Sequence, residues 1–171
     1  MSEEKTMVEK MGMGKLGGLR VVEIPKFRAV SSGSLPFDKI FTDDGFGKWQ
    51  GEHKHLIKDS FYAAPDFMWH DQEGYATWIW AVKDDVTAND CKPYKLIEFK
   101  GGMYAVATAD EKDNADISMV VGNMMKWINE SEVFEMDVPP RYGMGHMIGV
   151  GLTEILGWAQ QEIFLPIKYK K

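Results

Sequence analysis

One stretch of this chain is echoed further along it. Glu23-Ile24-Pro25-Lys26-Phe27-Arg28-Ala29-Val30 resembles, with one extra residue in the second copy, Glu98-Phe99-Lys100-Gly101-Gly102-Met103-Tyr104-Ala105-Val106. Both copies end in Ala-Val, and a Lys-Trp pair follows each, Trp49 lying 22 residues after Phe27 and Trp127 lying 24 after Met103. A strand, a helix and further strands are therefore read twice in one chain. A duplication of this kind predicts two equivalent halves with one cleft between them.

The rest of the chain fits that scheme. Leu19 to Ser32 is dense in Val and Ile around Pro25 and reads as a strand with a kink. Pro36 to Lys58 has helical stretches interrupted by Gly45, Gly47 and Gly51, so its helix is short or broken. Phe67 to Asp71 and Tyr75 to Lys83 are aromatic runs joined by Gln72-Glu73-Gly74, a connection of hairpin length. Tyr94 to Phe99 and Met103 to Ala109 read as strands. From Asp116 to Asn129, Ile117, Val120, Val121, Met124, Met125 and Ile128 fall at helical spacing, with Asn114 or Asp116 as the cap. Strands near Val133 to Met136, Tyr142 to Val150 and Gln161 to Tyr169 complete the order. The expected class is α+β, with duplicated strand-helix-strand-strand units forming a curved antiparallel sheet with two main helices.

Residues 1–18 alternate charge with Met and Gly and read as a flexible tail ahead of one domain over 19–171. The tail has no apolar core of a secretory signal. The uncharged stretch Met144 to Thr153 is about half of a membrane-spanning helix. A net charge of −6 repels phosphate backbones and argues against direct nucleic-acid binding. The single cysteine, Cys91, cannot form an internal disulfide, in keeping with a cytoplasmic protein. Gly12-Met13-Gly14-Lys15-Leu16-Gly17 matches the dinucleotide-binding glycine pattern, but a strand follows it instead of a helix, so it is rejected. His53, His55 and His70 fit no zinc spacing, and no cofactor or metal is expected.

The strand Lys100-Gly101-Gly102-Met103-Tyr104-Ala105-Val106, the helix bearing Trp127 and the tail Glu162-Ile163-Phe164-Leu165-Pro166-Ile167-Lys168, in that order, resemble the GyrI-like effector-binding domain found with AraC-type and MerR-type DNA-binding domains in bacteria. The resemblance runs from Leu19 to Lys168. It implies two long helices, a ligand pocket between the halves, and lipophilic, often cationic ligands held by stacked aromatics and a buried carboxylate. It also implies a role in transcription regulation or drug sequestration, with a separate regulatory protein as a further partner. Some relatives hydrolyse strained electrophiles. The resemblance places the pocket acid in a strand after the second helix. Here that stretch reads Pro139-Pro140-Arg141-Tyr142-Gly143, without a carboxylate, and Glu135 and Glu162 are the nearest acids.

Aromatic residues make up 12% of the chain, including six Trp, more flat apolar surface than a small core requires. The candidate ligand-binding residues are Trp49, Trp69, Trp80, Tyr104, Trp127, Tyr142, Trp158 and Glu162, with Trp78 beside them. Stacking on such rings suits lipophilic and cationic small molecules. No nucleophile elbow and no Cys-His arrangement is present, so no catalytic residue is assigned. An enzyme reading rests on Glu135 or Glu162 acting on an electrophilic compound after desolvation by neighbouring aromatics. Binding ranks above catalysis.

Overall fold

A computed structural model describes residues 18–139 and 141–171. The tail expected over 1–18, and with it the Gly12 to Gly17 pattern, lies outside the described residues apart from Gly18. The chain is α+β, and it divides into two compact units. Pro25–Gly101 forms one, and Gly102–Lys171 together with the first strand forms the other.

The first unit contains β2 (Phe27–Ser31), α1 (Phe37–Ile40), α2 (Phe46–Glu52), β3 (Asp66–His70), β4 (Ala76–Ala81) and β5 (Lys95–Phe99). Its strands run in the order β3-β4-β2-β5, every pair antiparallel. Val30, Trp78 and Trp80 share the face toward the helices, where Ile40, Phe46, Trp49 and Ile57 complete a core. The helix of this half is the short, broken one the glycines predict. A side chain at Gly45 would lie 2.7 Å from the carbonyl oxygens of Lys39 and Ile40, so the chain between α1 and α2 closes only with glycine there.

The second unit contains β1 (Arg20–Ile24), β6 (Gly102–Asp110), α3 (Asn114–Glu130), β7 (Phe134–Met136), β8 (Met144–Ile148), α4 (Thr153–Leu156) and β9 (Gln160–Tyr169). Its order is β1-β6-β9-β8, with β7 also on β9, again antiparallel. The cap of this helix is Asp113, ahead of both Asn114 and Asp116 expected from sequence, because the Asp113 carboxylate accepts the backbone N–H groups of Ala115 and Asp116 at 3.0 and 3.1 Å. Val120, Met124 and Ile128 of α3 bury against Ala105, Ala107 and Ala109 of β6 and Ile163, Leu165 and Ile167 of β9. The small alanines let the helix lie close to the sheet, and each large apolar side chain so buried contributes about 1.5–3 kcal/mol.

The repeated stretch occupies corresponding places. Ala29 sits between Ala81 and Ile97, and Ala105 sits between Leu165 and Val21. Leu19 to Ser32, expected as one kinked strand, is two. Pro25 and Lys26 separate β1 from β2, as Lys100 and Gly101 separate β5 from β6. Neither first strand pairs with the strand that follows it. β1 lies on β6 and β5 on β2, so each copy contributes one strand to the other copy's sheet.

Candidate functional site: an open aromatic groove and a buried ionic cluster

In the first unit the chain leaves the sheet after the short helical turn Lys54–Leu56 and returns at Pro65. Both ends are pinned to one residue, Lys58 N–H donating to the Ala81 carbonyl at 2.9 Å and Ala81 N–H donating to Pro65 at 2.8 Å. Between them, Asp59 to Ala64 stand off the sheet and enclose an open groove of about 510 Å3 with Gln50, Lys54, Ile57 and Trp80. Phe61 and Tyr62, on the outer wall, are exposed. The size falls in the range of small-molecule sites.

The tryptophans near this groove differ in how their N–H groups are satisfied. Trp49 donates to the Lys92 carbonyl at 3.1 Å, and Trp78 donates to Asp66 Oδ2 at 2.6 Å. The Trp80 Nε1 is buried and has no hydrogen-bond partner among the described residues. Trp49 is a core residue, stacked between Phe46 at 5.9 Å and the His53 ring at 4.3 Å. His53 is therefore part of that packing, and among the described residues no group of three or more His, Cys, Asp or Glu is placed to hold a metal. Trp69 lies on β3 opposite Thr77, on the face of the sheet away from the groove.

In the second unit, the face of the sheet opposite α3 carries Tyr104, Val106, Thr108, Glu162 and Phe164, all buried. The strand period sets this: odd residues of β6 and β9 meet the helix, and even ones take the other face. Glu162 is 3% exposed and fully engaged. Its Oε1 accepts from the Arg20 guanidinium on β1, and its Oε2 lies 3.1 Å from His146 Nδ1 on β8. Phe164 meets both the Tyr104 and His146 rings edge-on. Glu162 is a strand residue, but a buried charge without such partners would be unstable. Sequence reasoning missed Arg20 and His146, which lie on different strands far from Glu162 along the chain and carry no local pattern.

Arg141, in the stretch where the resemblance implies an acid, instead lies over the Tyr104 ring at 4.2 Å and donates to the Met103 carbonyl at 2.9 Å and to Asp137 at 3.1 Å. Its guanidinium fits because Gly102 has no side chain; a Cβ there would lie 2.9 Å from it. Glu135 sits on β7 opposite Lys168, 3.7 Å from its ammonium.

No family model matches the sequence, and no curated protein matches it. Solved structures do. The C-terminal domain of EcmrR is 13% identical, with 90% of this chain covering 98% of that one at a TM-score of 0.65. SAV2435 bound to tetraphenylphosphonium is 14% identical, with 88% and 94% covered and a TM-score of 0.53. A hydrolase from Listeria innocua is 13% identical, with 96% and 98% covered and a TM-score of 0.62. The fold is that of the GyrI-like effector-binding domains.

On this GyrI-like frame the candidate residues fall into separate groups. Trp80 walls the groove, with Trp78 packed against it at 5.4 Å. Tyr104 and Glu162 share the buried face opposite α3. Trp127 projects from α3 toward Phe134, 37% exposed, while Tyr142 is 41% exposed. Trp158 is half-buried just before β9. No helix among the described residues is long and apolar enough to cross a membrane.

Proposed function

We propose that this chain binds and senses a lipophilic small molecule, in the service of transcription regulation or sequestration of the compound, and that the groove beside Trp80 receives it. The observation that carries this reading is the open groove of about 510 Å3 whose wall combines Trp80, Phe61, Tyr62 and Ile57. Aromatic walls of that kind supply affinity for flat apolar compounds. Likeness in fold to the C-terminal domain of EcmrR, a protein also solved in complex with DNA, and to SAV2435 bound to tetraphenylphosphonium, a lipophilic cation, supports the same reading. Of the candidates from the sequence, Trp80 lines this groove, and Trp49, Trp69, Tyr104, Trp127, Tyr142, Trp158 and Glu162 lie outside its lining.

Hydrolysis is the second reading, favoured by one observation, the Glu162–His146 contact at 3.1 Å. The Arg20 guanidinium on the same carboxylate works against it, since a carboxylate held by a cation is a weak base. Tryptophan fluorescence titrated with lipophilic dyes, followed by mass analysis of the recovered compound, separates the two. Saturable quenching that is lost in Trp80→Ala, with the compound unchanged, is expected. An unquenched protein sinks the binding reading, and a hydrolysed product moves the assignment to the enzyme.

A further inference from the structure

The groove carries its own indication of ligand charge. Its charged lining consists of Lys54, Lys58 and Asp59, two ammonium groups against one carboxylate. Lys58 is offset by Asp84 at 3.8 Å, with both side chains at least half exposed. Lys54 is exposed and has no ion-pair partner among the described residues. Lys83, whose ammonium donates to the His55 carbonyl at 2.8 Å, adds a third positive group beside the same turn.

The indole of Trp80 points to the same chemistry. Trp49 and Trp78, its neighbours in the unit, each have an oxygen acceptor, whereas the buried Trp80 N–H has none among the described residues. An unmatched buried donor is unfavourable until an acceptor arrives. A ligand with a flat apolar body and an oxygen-bearing acidic group meets each of these needs. Its rings lie on Trp80, Phe61 and Tyr62, one of its oxygens pairs with the Lys54 ammonium, and another meets the buried indole donor once the Trp80 ring turns its N–H toward the groove. A lipophilic cation finds the reverse, with Asp59 as its only counter-charge among the lining residues.

Resting on the binding reading above, we propose that the groove selects aromatic acids, compounds with a carboxylate or sulfonate on a fused-ring or biaryl body, over lipophilic cations and over uncharged analogues of the same shape. Titration of the full chain with three probes tests this. Anilinonaphthalene sulfonate is the acid, phenylnaphthylamine carries the same rings without it, and tetraphenylphosphonium is the cation. The acid is expected to bind about fivefold more tightly than phenylnaphthylamine at low salt, the gap narrowing as salt rises. Lys54→Gln, at an exposed position, is expected to weaken the acid about threefold and phenylnaphthylamine by less. Trp80→Phe, which keeps an aromatic wall and removes the N–H, should weaken the acid more than phenylnaphthylamine. If phenylnaphthylamine or tetraphenylphosphonium binds as tightly as the acid, or Lys54→Gln weakens acid and neutral probe alike, charge selection is overturned while the groove remains a binding site. If none of the three binds, the binding reading itself falls.

Discussion

Glu162 shows how a charge can be held inside a sheet. At 3% exposure its carboxylate is deprived of water, and Arg20 and His146 replace the lost hydration. Arg20→Met removes the permanent cation and is expected to destabilise the chain by about 2–3 kcal/mol, less than for a fully buried pair because the arginine side chain is 46% exposed. Arg20→Met combined with Glu162→Met should recover most of that loss in urea denaturation. If the double variant is as unstable as the single, the pair's charge is not what the site requires. A second residue-scale effect lies at the β3–β4 turn. The Ser34 hydroxyl, donating at 2.8 Å, holds the Asp71 carboxyl below its ordinary value; desolvation opposes it with the next largest effect, and the Tyr75, Glu73 and Gly74 backbone N–H groups each add a lesser lowering one. A depressed carboxyl contributes stability above its unfolded value of 3.8 and loses it as pH falls through the folded one. Ser34→Ala is therefore expected to raise the Asp71 titration midpoint followed by NMR. An unmoved midpoint would remove the hydroxyl from the account.

At the scale of elements, α3 gives the clearest test. Asp113→Ala leaves two backbone N–H groups at the helix start without their acceptor and should cost about 1 kcal/mol, measured by thermal melting. Asn114→Ala, inside the first turn, should cost less, since the cap lies ahead of both residues the sequence suggests. The apolar period of Val120, Met124 and Ile128 made α3 legible from sequence alone, and alternating Val, Ile and aromatic residues did the same for the strands, within a residue or two at each end. The break between β1 and β2 was not legible as a change of partner. Pro25 signals a kink in either case, and nothing in a period of two tells whether the chain resumes beside its own preceding strand or beside a distant one. The groove was hidden for a related reason. Trp80 stood out as an aromatic, but Lys58 and Pro65 become its frame only because both bond to Ala81, a contact across the fold that no local pattern encodes. Arg20 and His146 were invisible on the same grounds, each unremarkable in its own strand.

The whole molecule is organised by the exchange of first strands between its two copies. Pro25–Gly101 is continuous in sequence, and its four strands β3-β4-β2-β5 all come from within it, β5 being supplied from its C-terminal end. The other unit is discontinuous, because β1 comes from before the first unit and pairs with β6 along Arg20 to Ile24. Removing everything up to Ile24 thus takes one edge strand and the ion-pair partner of buried Glu162 from the second unit while leaving the pairing of β3, β4, β2 and β5 intact. An exposed β6 edge and a Glu162 without Arg20 should together cost about 3 kcal/mol and lower the melting temperature by roughly 6–12 °C for a chain of this size. Hydrogen exchange locates the damage. Protection should fall most in β6 and β9, whose amides lie beside the lost strand and the orphaned carboxylate, and least in β2, β4 and β5. Arg20→Met in the intact chain then separates the two contributions, because it removes the ion pair and keeps the strand: its β6 amides should stay protected while stability drops. A truncated chain whose β2 and β5 lose protection as fast as β6 would show that the two units unfold as one and that the exchanged strand does not mark a boundary of stability.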